Sequence, residues 1–227
     1  MPVYQLIKEI IFPLPEYAET NGLLAIGGDL CSERLLLAYS NGIFPWYSKD
    51  EPILWWSPDP RLVLLPENFK VSKSLRLLIK KNLFTVKLDT NFFEVIKKCA
   101  DVVRPGQDDT WITNEMIDAY TNLHNLGFAH SVETYYNDKL VGGLYGISLG
   151  KAFFGESMFH TMTDASKVAL FFLVEKLKKW NFDFIDAQMK TSHLISLGAK
   201  EISRKEYLEL LKNSLKSKTK KGKWELL

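Results

Sequence analysis

FDFIDAQMKTSHLISLGAKEI, residues 182–202, decides how the chain is built. An apolar run that reads as a strand ends in two hydrogen-bonding side chains, Asp186 and Gln188. Side chains on a strand alternate faces. Phe182, Phe184, Asp186 and Gln188 are therefore expected on one face, and Asp183, Ile185, Ala187 and Met189 on the other. A carboxylate and a carboxamide would point the same way at the strand's end. Ser192 reads as the cap of a short helix, and Gly198 as its left-handed terminator. Open sheets build their sites at strand ends; the alternative is a strand fraying into solvent.

Working outward, ASKVALFFLVEKLKKW (165–180) reads as a strongly apolar helix capped by Asp164 or Thr163. Before it stand three strand patterns: AHSVETYY (129–136), KLVGGLYGISLG (139–150) and KAFFGESMF (151–159). Asn137-Asp138 joins the first two as a hairpin. A helix over 113–126 starts at its cap Thr113 and stops at Gly127. A last strand is expected around KEISR (200–204). Helix–strand–strand–strand–helix–strand–helix–strand is the pattern of an α/β domain of acyltransferase type with a mixed sheet.

Toward the N-terminus, KVSKSLRLLIKKN (70–82) is an amphipathic helix. Val71, Leu75, Leu78 and Ile79 form one stripe, and Lys73, Arg76 and Lys80 another. Residues 1 to about 60 are rich in turns and aromatics, with a helix capped by Ser32 and ended by Asn41-Gly42. They read as a small domain, and the loop SPDPR hands the chain to a second domain over 61–211. Residues 212–227 form a basic tail expected to be mobile.

A chain of 227 residues suits one large domain, or a small one packed on a larger one. Hydrophobic content of 46% and charged content of 25% are ordinary for a folded soluble protein. A net charge of +2 does not announce a nucleic-acid binder, so local clustering must carry any such evidence. Cys31 and Cys99 are far apart and read as reduced thiols of a cytosolic protein. MPVYQLIKEIIFPLP lacks a basic start followed by a long apolar core, and no apolar run approaches 18 residues. Secretion and membrane spanning are not expected.

The motif GES puts Gly155, Glu156 and Ser157 at an expected strand end, so Glu156, Asp186 and Gln188 could converge on one cleft. Leu144, Phe153, Phe154, Leu170, Leu173 and Ile185 could line a pocket beside them, or simply be core. A metal is not expected, because His124, His130, His160 and His193 form no pair at i, i+4. No GxSxG elbow and no phosphate-binding glycine loop occurs. The segment ESMFHTMTDAS (156–166) holds no glycine, which argues against a coenzyme A thioester as acyl donor. Trp46, Tyr47, Trp55, Trp56 and Trp111 could stack on a nucleobase, or build a domain interface. The Lys73/Arg76/Lys80 stripe, with Lys81 and Lys87, could follow a phosphate backbone.

The stretches NGLLAIGGDL, GIFPWY, ILWWSPDPR, TWIT, AHSVE, VGGLYG, FGESMF, DASKVAL and DAQ with HLISLGA occur in one order over most of the chain. In them the chain resembles the bacterial leucyl/phenylalanyl-tRNA–protein transferases. The resemblance implies a small N-terminal domain and an acetyltransferase-like (GNAT-type) C-terminal domain. It implies a cytoplasmic, monomeric enzyme without a cofactor. That enzyme would move Leu or Phe, less readily Met, from Leu-tRNA or Phe-tRNA to proteins with N-terminal Arg or Lys. The product would be an N-degron. It also implies site roles. Asp186 and Gln188 would be held together by a hydrogen bond beside the reacting amine, with Glu156 near them. Leu144, Phe153, Leu170, Leu173 and Ile185 would line the side-chain pocket. Trp46, Trp111, Tyr39 and Tyr120 would meet the tRNA 3′ end, and Lys73, Arg76, Lys80 and Lys81 its backbone.

An aminoacyl ester is already activated, and roughly a tenth of an α-amine is neutral near pH 7. Positioning can therefore supply much of the rate. The expected arrangement has the Gln188 carbonyl accepting from the amine, Asp186 orienting the amide, and Glu156 holding the acceptor's cationic end. Either carboxylate could be the base. Two other classes stand beside this one: a coenzyme A-dependent N-acetyltransferase, and a non-catalytic RNA-binding module.

Overall fold

The computed structural model describes residues 3–102 and 110–225. A small first sheet comes from β1 (Tyr4–Leu6), β2 (Leu23–Gly27), β3 (Phe44–Pro45) and β4 (Leu54–Trp56), in the order β1-β2-β4-β3. Helix α1 (Ser32–Ser40) packs with it. The helix starts one residue earlier than expected: Cys31 is its N-cap, with no side-chain cap bond, and Ser32 is the first helical residue. Trp55 is wholly buried and donates from Nε1 to Gly27 O at 2.8 Å, which makes it core rather than a stacking platform.

The rest of the chain adds β5 (Arg61–Leu64), α2 (Lys73–Lys80), β6 (Thr85–Leu88), α3 (Phe92–Ala100), α4 (Asn114–Asn125), β7 (Ala129–Tyr136), β8 (Lys139–Leu149) and β9 (Ala152–His160). Then follow α5 (Ala165–Lys179), β10 (Phe184–Gln188), α6 (Ser192–Ser196), β11 (Lys200–Ile202) and α7 (Arg204–Ser214). From α4 to β11 the expected order of helices and strands is the observed one; α7 follows where no helix is expected. The seven-stranded sheet runs β11-β5-β10-β9-β8-β7-β6. It is antiparallel except where β10 lies parallel to β9.

Local chemistry accounts for the element ends. Thr113 Oγ1 accepts from Met116 N at 3.3 Å and starts α4; Ser72 does the same for α2 through Leu75 N. Asn137 and Asp138 both take positive φ, 47° and 59°, as a two-residue hairpin demands. Asp164 is the N-cap of α5 but is itself left-handed, and its carboxylate pairs with Lys167 instead of capping. The short α6 is capped by Thr191, not Ser192. Gly198 ends it at φ +102°, and a Cβ there would lie 2.1 Å from Asn68 O.

Two apolar layers cover the main sheet. One runs continuously into the first sheet and includes Tyr39, Trp55, Phe154, Phe184 and Tyr207. The other lies under α5 and includes Leu144, Phe153, Leu170, Leu173 and Ile185. The expectation of a mobile tail is corrected over its described part. Residues 215–225 pack back on the sheet, where Trp224 is buried and its N–H donates to Asp89 Oδ2 at 2.7 Å. Residues 226–227 of that segment lie outside the described residues.

Candidate active site

β9 and β10 pair in parallel only as far as Phe154 and Asp186. Beyond that point each strand carries a bulge. On β9, Gly155 faces Gly146 and Ser157 faces Tyr145, leaving Glu156 as the extra residue. On β10, Asp186 faces Val63 and Gln188 faces Leu62, leaving Ala187 as the extra residue. Bulges bend a strand and re-aim side chains. Here two of them side by side open a cleft of about 410 Å³.

The bulges correct two expectations. The GES motif sits within β9 rather than at a strand end before a helix. Asp186 and Gln188 do not share a face: Gln188 has φ +60° and lines the cleft, while Asp186 is wholly buried behind the strand. Asp186 Oδ1 accepts from Arg61 Nε at 2.9 Å and Oδ2 from Arg61 Nη2 at 2.7 Å, a two-pronged pair. Tyr207 Oη adds a third donor at 2.7 Å. The link from Asp186 to Gln188 exists, but runs to the Gln188 backbone N–H at 2.9 Å. The Gln188 amide is oriented by Glu156: its Nε2 donates to Glu156 Oε1 at 2.8 Å.

Glu156 Oε2 accepts from Tyr120 Oη at 3.2 Å, and Tyr120 is in turn hydrogen-bonded to Tyr39. Both tyrosines are wholly buried, so stacking on a tRNA base is not open to them; they hold Glu156 from behind. Burial pushes the Glu156 carboxyl up to about 7, against the pull of the tyrosine and glutamine donors, with the Asp186 charge adding to the rise. Burial also drives both tyrosine hydroxyls well above their ordinary value, with the Glu156 charge next in size.

Leu144, Phe153, Leu170, Leu173 and Ile185 all line the cleft, on β8, β9, α5 and β10. Leu170 and Leu173 share one face of α5 at i, i+3. Trp46 and Trp111 line it too, with Phe44 and Pro45, so the FPW and TWI motifs meet at one mouth. Phe154 is on the opposite side of the sheet, edge-on to Tyr39 at 5.1 Å. Lys73, Arg76, Lys80 and Lys81 are all exposed on α2 or at its end, and none lines the cleft. Among the described residues no group of three or more His, Cys, Asp or Glu could hold a metal.

Sequence reasoning does not reach Arg61, Tyr207 and His193. The loop reading of SPDPR takes in Arg61, although an Arg opening the apolar run RLVL is a signal for a buried ion pair. His193 lines the cleft from α6, with its imidazole pushed below the ordinary range by burial and then by Lys167 and His160. Tyr207 gives no signal beyond its place on the apolar face of α7.

Residues 63–212 match the family model described as Leucyl/phenylalanyl-tRNA protein transferase, and residues 28–59 match that of its N-terminal domain. The chain belongs to that family. It is an aminoacyltransferase. A protein of Syntrophobacter fumaroxidans named leucyl/phenylalanyl-tRNA–protein transferase is 55% identical over 225 residues, 99% of this chain and 96% of its own. Another of that name from Legionella pneumophila strain Corby is 58% identical over 215 residues, 95% of this chain and 96% of its own. Among solved structures, an aminoglycoside acetyltransferase from an uncultured soil metagenomic sample is 12% identical and covers 51% of this chain and 85% of its own. Its TM-score of 0.36 adds nothing to the fold described above.

Proposed function

We propose that the chain transfers Leu or Phe, less readily Met, from aminoacyl-tRNA to the α-amine of proteins with N-terminal Arg or Lys. A peptide bond forms, the ester C–O bond breaks, and the product is a degradation signal. One observation carries the reading: the hydrogen-bonded Gln188–Glu156 pair stands beside an apolar pocket in a member of this family. Partners are an aminoacyl-tRNA and a protein. No described helix is long and apolar enough to cross a membrane, and the reading adds the cytoplasm and a monomer to that.

With Nε2 engaged by Glu156, the Gln188 carbonyl is left to accept from the incoming amine. The amine arrives neutral and attacks the ester carbonyl. Glu156, with a carboxyl near 7, matches the task of taking the proton that the new C–N bond makes acidic, and of returning it to the departing ribose oxygen. Asp186 is ill suited to that task, because Arg61 and Tyr207 hold both its oxygens. Its role is positioning, through the Gln188 backbone. Trp46 and Trp111 suit the terminal adenosine, and the exposed lysines and arginine of α2 suit the tRNA backbone. A pocket of Leu, Ile and Phe separates apolar side chains by only about 1–3 kcal/mol per methylene, which fits a donor that can be either Leu or Phe.

The test is transfer of labelled Leu from Leu-tRNA to a peptide beginning with Arg, beside one beginning with Ala. Label on the Arg peptide alone is the expected result, and label on neither overturns the reading. Gln188→Ala is expected to lower kcat by about a hundredfold with KM for the tRNA little changed. An unchanged kcat removes the amide from the mechanism.

A further inference from the structure

Trp224 sits outside the stretch matched by the family models and yet belongs to the apolar layer that holds the cleft's wall. Residues 215–225 form a strap that brings it there. Gly150 N donates to Thr219 Oγ1 at 2.9 Å, and Gly222 N donates to Gly127 O at 3.1 Å. The strap passes so close that a Cβ on Gly127 would lie 2.4 Å from Gly222 N. At its end the indole lies flat on the His130 imidazole, centroids 3.7 Å apart. Asp89 Oδ2 accepts from both the Trp224 backbone N–H and His130 Nδ1, and Trp224 Nε1 donates to Lys220 O at 3.2 Å. Trp180 closes on it edge-first at 4.9 Å. The indole is therefore fixed from several sides.

What it fixes in turn is Phe153. That ring lines the cleft and is wholly buried. It lies against Gly146, where a Cβ would come within 2.6 Å of it, and against Trp224 at a centroid distance of 5.9 Å. With the glycine backbone and the indole both rigid, the ring has one place to be. We propose that Trp224, delivered by the 215–225 strap, is a positioning residue that sets the depth of the pocket by holding the Phe153 ring. The inference rests on the proposed use of that pocket for the aminoacyl side chain. Removing the indole would leave an empty volume into which Phe153 can retreat, deepening the pocket.

The experiment measures kcat/KM for leucyl, phenylalanyl and tryptophanyl esters carried on one and the same tRNA, so that only the side chain differs. For Trp224→Ala, folded by its thermal transition, the ratios of phenylalanyl and tryptophanyl to leucyl transfer are expected to rise roughly tenfold, the low end of what one methylene is worth in an apolar pocket. Trp224→Phe, which still fills the site, is expected to keep the ratios near those of the unaltered chain. Equal losses for all three esters in Trp224→Ala overturn the inference, because a merely structural defect has no side-chain preference. Should the alanine variant fail to fold, Trp224→Leu takes its place: raised ratios support the inference, and equal losses overturn it. An unaltered chain that uses none of the three esters overturns the proposed function, and this inference with it.

Discussion

Glu156 keeps a carboxyl where a charged one is costly. Both its oxygens have donors, Gln188 and Tyr120, yet burial outweighs them and lifts the group from 4.5 to about 7. Two pH effects follow. If Glu156 must be ionised and the acceptor amine neutral, log kcat/KM rises below pH 7 with a slope approaching two. In Glu156→Gln it should rise with a slope of one, from the amine alone, on a rate reduced by about a hundredfold. An unchanged pH–rate profile would take Glu156 out of proton transfer. Stability moves the other way. The native state prefers the protonated acid, so that preference is fully present below about 4.5 and is lost as pH rises through about 7. Glu156→Gln should therefore gain up to about 3 kcal/mol over the parent at pH 8 and nothing at pH 4, read from urea denaturation.

At the scale of elements, the site depends on where strands stop behaving regularly. Gly146 stands opposite the β9 bulge, and a Cβ there would sit 2.2 Å from Phe154 O and 2.6 Å from the Phe153 ring. Gly146→Ala is expected to cost about 3 kcal/mol in chemical denaturation, because backbone has to shift. The elements themselves are readable where the signal is local: the Thr113 cap, the Asn137-Asp138 turn, and the apolar helix after Asp164. The pocket residues are reached through the family motifs, because apolar character alone leaves them equally readable as core. The bulges are not. The one on β10 is set by pairing with β5, more than a hundred positions earlier in the chain, and simple alternation puts Asp186 and Gln188 on one face. The tail misleads for a different reason. Its lysines give the composition of a solvated segment, and the one residue that decides its fate, Trp224, is a minority among them.

Across the whole molecule, Arg61 is a junction. Its guanidinium reaches Asp186 on β10 and Gly42 O in the turn after α1 at 3.2 Å, and lies over the rings of Phe44 at 4.7 Å and Tyr207 at 4.6 Å. Burial works against its charge, but the Asp186 carboxylate together with Tyr207 and Tyr39 outweighs that and raises its pKa. Arg61→Met should destabilise the chain by about 3–5 kcal/mol by stranding a buried carboxylate, and Asp186→Asn added to it should recover part of the loss. Activity should not return in the double variant, because the Gln188 backbone loses its charged acceptor. The position of β5 also bears on how the chain folds. It enters the sheet between β10 and β11, whereas β6 to β9 join their neighbours in the sheet through far shorter connections. Long-range closure is slow. Pulse-labelled hydrogen exchange during refolding should find β7 to β9 protected before β5. If β5 does insert last, the nascent sheet would have a pocket wall but no ion pair behind Gln188, and reactivity would be withheld until assembly is complete.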